Sequence, residues 1–309
     1  MKQDSFSDQL AEPEIHRLTR RDFMKGLGAV AVGCSVTLPL LSEVLLADEQ
    51  QSRVVLIRDA DVVGRDGKIN AAVVQRMLDQ AVTALLENAD PVACWKRLVK
   101  PDDVVGIKSN EWDRLPTPPE VERALKQRVM DAGVPERNIG IDDRGVLGHP
   151  VFRKCTALIN VRPMRTHAWS AAGSLIKNYI MFVPQPEDYH DDNCAPLGAI
   201  WHLPHVKGKT RLNVLVMLTP LFYGVGPHHF DKTFVWNYNS LLVGTDPVAV
   251  DSIGISIFEA RRKAYFGEER PLRASAHHIT LADKKYHLGT SDLSKIQLIK
   301  LGWKEGVLI

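Results

Sequence analysis

His167 and Lys177 are the residues of this sequence best suited to proton transfer. His167 lies three residues after the apolar run Ala157–Met164, and Lys177 follows ten residues later. A histidine at the end of a strand, close to a lysine, can act as a general acid or base, or bind a metal ion. From the sequence alone, a packed or solvated loop histidine is an equally open interpretation of His167.

Polar residues also follow the other predicted strands. In open α/β sheets ligands bind beyond the carboxyl ends of the strands, so we expect these residues to form one cleft at one edge of the sheet. His167 is the expected general acid/base, with Lys108 and Lys177 as electrostatic clamps. The expected ligand-binding residues are Asn110, Arg165, Asn178, Gly226, Asp246 and Asp251. Asp246 or Asp251 would orient the substrate or bind a metal ion.

Purely structural roles are open for several of these residues. Lys108 can reach solvent from the end of its strand, and Asp143 can form turn hydrogen bonds. Gly226 can serve only a tight turn. Asp246 precedes Pro247, which is the pattern of a helix N-cap followed by a proline in the first turn.

Three loop residues, His228, His229 and Asp231, form a compact group of nitrogen and oxygen donors that we take as the candidate metal site. Two further groups have the right donor types without a diagnostic spacing: His190 with its following aspartates, and His202 with His205. Exposed loop histidines without a metal are the open alternative. The cofactor therefore stays unknown, with a divalent metal as the candidate.

The cysteines after the first 47 residues are Cys94, Cys155 and Cys194, which are widely spaced and form no C-x-x-C pair. A cysteine-ligated iron–sulfur cluster or zinc site is therefore not expected. In an oxidising compartment two of the three thiols could pair, but buried free thiols are favoured.

Alternating apolar and amphipathic segments predict an α/β fold with a largely parallel sheet and helices on both faces. The predicted strands are Val54–Arg58, Asp103–Lys108, Asn138–Asp142, Ala157–Met164, Leu212–Leu218, Leu241–Thr245 and Lys295–Leu301. The predicted helices are Asn70–Leu86, Pro118–Ala132, Leu175–Val183 and Val248–Arg262. The proline-bounded segment Pro184–Pro196 is predicted to be a long loop. It is either a lid over a site or a loop that projects into solvent.

The first 47 residues have the features of a twin-arginine export signal. Arg20 and Arg21 are followed by Phe23, by Lys25 and then by an apolar, glycine-containing run to residue 46. Cleavage after Ala47 would leave residues 48–309 as a single α/β domain in the periplasm. The implied partner is the twin-arginine translocation machinery, and the membrane is contacted only through this segment. A retained membrane anchor is the alternative.

The charge of the chain is nearly balanced, with a formal net charge of +2. This balance argues against nucleic acid or an anionic membrane surface as the partner. The cationic residues predicted at the strand ends instead favour a small anionic ligand.

An ordered set of motifs resembles the family known as domain of unknown function 362. The motifs are Val105–Asn110, Arg165–His167, Lys177-Asn178, Gly224–Pro227 and Val243–Asp251. The resemblance extends from about Val54 to the C-terminus. It implies no settled activity. Many members carry a fused ferredoxin-like cysteine module, which this sequence lacks, so the iron–sulfur assignment does not carry over.

The spacing from His167 to Lys177 is also similar to one in the nickel-dependent lactate racemase family. There the histidine is a proton-transfer base and the lysine holds a covalent cofactor. The similarity implies that His167 moves a proton while Lys177, Lys108 and Arg165 hold an anionic substrate or cofactor.

Two functions remain open from the sequence. The first is an exported enzyme that acts on a small anionic substrate by His/Lys acid–base or metal-assisted chemistry. The second is a non-catalytic periplasmic metal- or ligand-binding accessory protein of a redox system. Whether the protein is an enzyme is not decided at this level.

Overall fold

The computed structural model describes residues 51–224, 230–272 and 274–309, and these residues form one α/β unit. The strands are β1 (Ser52–Arg58), β2 (Val105–Lys108), β3 (Ile139–Asp142), β4 (Ala157–His167), β5 (Ala171–Gly173), β6 (Thr210–Leu221), β7 (Ser240–Gly244) and β8 (Ile296–Gly302). The helices are α1 (Ala71–Leu86), α2 (Pro91–Leu98), α3 (Pro119–Asp131), α4 (Leu175–Asn178), α5 (Asp191–Cys194), α6 (Leu197–Ile200), α7 (Pro247–Phe266) and α8 (His277–Lys284). None of the helices in these ranges is both long and apolar enough to cross a membrane.

The strands form one sheet in the order β3-β2-β4-β6-β7-β1-β8, with β5 paired to the end of β4. Within the main sheet β7 runs antiparallel to both of its neighbours, and the other pairs are parallel. The predicted α/β fold with a largely parallel sheet is confirmed. The carboxyl end of β7 therefore lies at the opposite edge from the carboxyl ends of β2, β3, β4 and β6.

Helices cover both faces of the sheet, as predicted, because side chains alternate along each strand. In β1, Val55 and Ile57 pack into the core beneath α1, α2 and α3. Their neighbours Val54 and Leu56 pack into the opposite core, which α7 covers. A third cluster of apolar residues joins α4, α6 and α8 to the same side of the sheet.

Capping residues explain where the two longest helices, α1 and α7, begin and where α7 ends. The Asn70 side chain accepts hydrogen bonds from the first backbone N–H groups of α1, and Asp246 does the same for α7. α7 ends at Gly267, whose φ of 73° is readily adopted only by a residue without a side chain.

The structure differs from the sequence-based prediction in three places. The predicted helix Leu175–Val183 is a single α-helical turn, α4, followed by a 3-10 turn over Tyr179–Phe182. α2, α6, α8 and β5 were not predicted, since each is short. The segment Pro184–Pro196 is a loop as predicted, but it contains a 3-10 turn over Pro186–Tyr189 and a short irregular turn over Asp191–Cys194.

Candidate functional site

A cavity of about 510 Å³ lies beyond the carboxyl ends of β2, β3 and β4. β4 extends well past β2, since the last paired residues of the two strands are Lys108 and Asn160. Side chains from the part of β4 that extends past β2 therefore reach this opening. The cavity is lined by Asn110, Trp112, Asp143, Arg144, Arg162, Arg165, His167, Trp169, Lys177, Asn178, Pro186 and His190, among others. The structure thus brings together five of the predicted residues: Asn110, Arg165, His167, Lys177 and Asn178.

Two buried arginines from β4 line this cavity without a counter-ion. Arg162 and Arg165 are each 4% exposed, and neither forms an ion pair with a carboxylate of the described residues. Burial lowers the pKa of Arg162 to about 10 and that of Arg165 well below its ordinary value. The buried Nε atoms of both have no hydrogen-bond partner in the described part of the chain. Unsatisfied buried cationic donors favour an anionic ligand.

The two guanidinium groups are held in place from the sides. Arg165 Nη1 donates to Asn110 Oδ1 at 2.9 Å, and its guanidinium lies 4.5 Å from the ring centre of Trp112. Arg162 occupies the space next to Gly173, where an added Cβ would lie only 2.5 Å from Arg162 Nη2. Any side chain at position 173 would therefore displace this arginine.

His167 is a neutral imidazole whose proton position follows from its hydrogen bond. Its Nδ1 accepts the backbone N–H of Trp169 at 3.2 Å, so the ring proton is on Nε2. Burial, and next the charge of Lys177, hold the pKa of His167 far below its usual range. The ring also stacks nearly parallel to His190, with ring centres 6.3 Å apart. His167 therefore stays uncharged at physiological pH.

Lys177 projects into the cavity from α4 and is 3% exposed. Burial lowers its pKa to about 8, so a neutral amine is populated near neutral pH. Its Nζ lies 3.6 Å from Cys194 Sγ, and burial raises the pKa of that thiol. Cys194 belongs to the loop 184–196, which contributes Pro186 and His190 to the cavity wall. This loop therefore forms part of the cavity wall.

The backbone of this loop is unusual next to Cys194. Asp192, Asn193 and Cys194 have φ values of 45°, 53° and 65°, which places three consecutive non-glycine residues in the left-handed region. Such a run is costly for L-residues and is maintained only by its surroundings. At the end of this run Cys194 is fully buried, and its Sγ lies next to Lys177 Nζ.

Lys108 lies behind the cavity wall and does not line it, which differs from its expected role as a direct clamp. Its Nζ contacts Asp143 Oδ1 at 2.5 Å, the Ser109 carbonyl at 2.7 Å and Asn178 Oδ1 at 3.4 Å. Asp143 Oδ2 also accepts the Glu111 N–H at 2.9 Å. Burial alone would raise the pKa of Asp143, but the Lys108 charge and these hydrogen bonds hold it below its usual value. Lys108 therefore supports the cavity wall through a buried ion pair.

Asp251 also acts from behind the site and does not line the cavity. Its carboxylate accepts hydrogen bonds from Ser174 Oγ and from the backbone N–H groups of Leu175 and Ile176, at 2.7 to 2.9 Å. Burial raises its pKa to about 6. These contacts fix the first turn of α4, which carries Lys177 into the cavity.

Asp246 does not join the cleft, contrary to the prediction. Because β7 is antiparallel to its neighbours, its carboxyl end lies at the other edge of the sheet. There the Asp246 carboxylate caps α7 and accepts hydrogen bonds from Ser52 Oγ at 2.6 Å and from the Thr290 N–H at 2.9 Å. The alternative interpretation of Asp246 as an N-cap is confirmed.

Most of the candidate metal site lies outside the described residues. Its residues His228 and His229 lie outside the described ranges, and so does the predicted ligand-binding residue Gly226. Asp231 is exposed and caps the turn Lys232–Phe234 through the Thr233 N–H at 2.9 Å. Within residues 51–224, 230–272 and 274–309, no group of three or more His, Cys, Asp or Glu side chains is arranged to hold a metal ion.

Several residues of the cavity are not predicted from the sequence. Arg162 lies in the middle of a predicted buried strand. A lone arginine at such a position is unusual and was the available signal of a functional residue. Trp112 and Trp169 line the cavity from loops and carried no signal. His190 was considered only as a metal ligand, whereas it packs edge-on against Trp169 with ring centres 4.6 Å apart.

Comparison with known proteins gives a family match without an activity. Residues 132–256 match the family model described as "Domain of unknown function (DUF362)". The matched segment contains β3, β4, the cavity residues from Arg162 to His190, and the first half of α7. The resemblance to this family is confirmed for that segment. Neither a curated protein nor a solved structure matches the chain.

Proposed function

We propose that this protein binds a small organic anion in the cavity and carries out acid–base chemistry on it with His167 and Lys177. The observation that carries the proposal is the pair of buried guanidinium groups, Arg162 and Arg165, that line the cavity without a counter-ion. The buried carboxylate that lines the cavity, Asp143, is already neutralised by Lys108. The cavity wall therefore has excess positive charge, which a bound anion would offset.

The acid–base part of the proposal is supported by the two titratable groups next to the arginines. His167 is neutral, and Lys177 has a pKa of about 8 because it is buried. Strongly shifted pKa values inside a cleft are typical of functional groups, and an amine with a pKa near the working pH is an effective proton carrier. The metal-assisted variant of the proposal would depend on His228, His229 and Asp231.

The affinity for glutarate, a dianion without other reactive groups, is expected to depend on pH through Lys177. A bound anion raises the pKa of Lys177 above its free value of about 8, so binding takes up a proton above that pH. We expect nearly constant affinity at pH 6 to 7, and a decrease approaching about tenfold per pH unit above pH 8. Titration calorimetry in two buffers of different ionisation enthalpy measures both the affinity and the proton uptake.

The control for this experiment is Lys177→Met, for which the affinity should be weaker and the proton uptake near pH 8.5 should disappear. Absence of detectable binding of glutarate, succinate and inorganic phosphate by the unaltered protein would contradict the proposed function. Binding with unchanged affinity from pH 6 to 9.5 would remove Lys177 from the site.

Export by the twin-arginine route is part of the proposal and is supported by the pattern around Arg20 and Arg21. Replacing both arginines by lysine is expected to leave the full-length chain in the cytoplasm. Cell fractionation followed by immunoblotting measures this, with Arg17→Lys as the matched control. Unimpaired export of the double variant would rule out this route.

The second candidate function, a non-catalytic periplasmic binding protein, uses the same cavity. Tight anion binding without proton exchange or turnover would favour a binding protein over an enzyme. In that case His167→Ala should still bind the anion. Metal analysis of protein purified after native export would show whether a metal ion accompanies that ligand.

A further inference from the structure

We propose that the substrate is a small carboxylate with a carbonyl group on the adjacent carbon, that Lys177 removes a proton from the carbon next to this carbonyl, and that His167 donates a hydrogen bond to the carbonyl oxygen. This inference rests on the proposed function, since it assigns the roles within the same cavity. It exchanges the roles that the sequence suggested for the histidine and the lysine.

The hydrogen bond at Nδ1 determines what His167 can do. A backbone N–H can only donate, so Nδ1 of His167 is occupied as an acceptor by Trp169, at 3.2 Å. The remaining nitrogen, Nε2, carries the proton and belongs to a side chain that lines the cavity. The resting ring therefore offers a neutral N–H donor to the ligand and has no free lone pair with which to accept a proton. A neutral imidazole of this kind polarises a carbonyl group rather than abstracting a proton.

Lys177 is the buried cavity residue that can accept a proton, since the other lining groups of this kind, Asp113 and His190, are exposed or half-buried. Asp143 is paired with Lys108, and Asp251 is enclosed behind α4 by Ser174 and two backbone N–H groups. The charged and titratable groups that act on Lys177 are Arg162, Arg165 and His167 of β4, His190 and Cys194 of the loop 184–196, and His278 of α8. Burial, and after it the charges of Arg162 and Arg165, lowers the pKa of Lys177 to about 8, so a large share of the amine is neutral near that pH.

The two arginines account for the carboxylate part of the substrate. Guanidinium groups bind carboxylates through paired N–H donors, and both Arg162 and Arg165 have a buried Nε without a partner in the described residues. Two such groups lining one cavity suit a dicarboxylate, and a cavity of about 510 Å³ has room for one. A 2-oxo dicarboxylate meets all of these requirements, since its carbonyl lies next to a carboxylate.

The proposed step is balanced without a further reactant. The C–H bond breaks and its proton moves to Nζ of Lys177, which becomes an ammonium group. The electron pair of that bond forms a carbon–carbon double bond, and the carbonyl π pair moves onto the oxygen. The resulting enolate oxygen accepts the Nε2–H of His167, and the nearby arginine charges stabilise it. Return of a proton from Lys177 to carbon reverses the step.

Proton exchange at carbon tests this inference directly. The probe is 2-oxoglutarate in deuterium oxide, and NMR follows the loss of the proton signal at the carbon next to the carbonyl group. We expect the unaltered protein to accelerate this exchange, and Lys177→Met to reduce the acceleration by at least about 100-fold. His167→Ala is expected to lose about 100-fold, while His167→Gln, which retains an N–H donor, should recover most of the rate. Lys68→Met, an exposed lysine, is the matched control and should exchange normally.

The pH profile separates the two possible bases. With Lys177 as the base, kcat/KM for exchange rises with pH and levels off above about 8, where the amine is neutral. A profile that is already flat from pH 7 to 9 would show that a group of much lower pKa, such as one of the cavity histidines, is the base, and would overturn the assignment. Borohydride reduction that fixed the probe covalently to Lys177 would also overturn it, because the lysine would then form a Schiff base.

Binding measurements keep this inference distinct from the proposed function. Glutarate has the same two carboxylates without the carbonyl. Unchanged glutarate affinity in the His167 variants, and detectable though weaker binding by Lys177→Met, would show that the cavity is intact. If glutarate binds and 2-oxoglutarate does not exchange at any pH from 7 to 10, the role assignment fails while anion binding stands. If neither anion binds, both proposals fail.

Discussion

Replacing Arg165 with methionine is expected to weaken glutarate binding by about 2 to 4 kcal/mol, which corresponds to roughly 30- to 1,000-fold in Kd. The arginine is buried, its Nε has no partner in the described residues, and its guanidinium lies over Trp112. In the variant, a bound carboxylate would therefore lose the charge-assisted hydrogen bonds that the arginine donates in this enclosed site. Titration calorimetry at pH 7 and low ionic strength measures the loss.

Protein stability provides the internal control for this variant. Burial and the neighbouring Arg162 both act against the charge of Arg165, so methionine should leave the melting temperature unchanged or raise it. The matched substitution is Arg123→Met, at an arginine whose side chain is 65% exposed and paired with Glu120 on α3. Equal glutarate affinity in the Arg165 and Arg123 variants would show that the buried arginine does not bind the anion.

The largest effect on stability is expected from Lys108→Met, which should lower the free energy of unfolding by about 3 to 5 kcal/mol. Methionine has a similar shape but no charge, so the carboxylate of Asp143 would remain buried without its partner. Asn178 would also lose a contact with the Lys108 ammonium group. Urea denaturation at pH 7, followed by fluorescence and by circular dichroism, measures the difference.

The double variant Lys108→Met/Asp143→Asn separates the ion pair from the packing of the lysine side chain. Removal of the second charge should recover most of the lost stability, since a neutral amide is far less costly to bury than a carboxylate. In the single variant the pKa of Asp143 would lie above its unfolded value. Its penalty would therefore be absent below about pH 4 and fully present at neutral pH. If the loss in free energy of unfolding came from packing instead, it would not shrink on acidification, and the second substitution would not relieve it.

Much of the fold could be predicted because its signals are local. The apolar runs that become β4 and β6 are continuous in the sequence, and the caps Asn70 and Asp246 lie directly before their helices. α2 and β5 were missed because short elements are stabilised mainly by tertiary contacts. The single turn of α4 likewise depends on the distant carboxylate of Asp251, 76 residues from Leu175 along the chain.

The candidate site was predictable in part for the same reason. Arg165, His167 and Lys177 follow a recognisable strand, and the carboxyl end of a parallel strand is where ligands bind. Lys108 and Asp251 have the right residue types but lie behind the cavity, because an ion pair and a helix cap formed with distant partners hold them there. No spacing in the sequence distinguishes such supporting residues from residues that contact a ligand.

The sequence by itself determined which segments form strands and helices and which polar residues follow them, because backbone preference, capping and apolar periodicity act between near neighbours. Only the tertiary structure decided the direction of β7, and with it the exclusion of Asp246 from the cleft, because strand pairing joins residues far apart in the chain. The burial of Arg162 and Arg165, the neutral state of His167 and the lowered pKa of Lys177 were decided in the same way. Each depends on how completely other elements enclose a charge, and this enclosure is a property of the folded molecule.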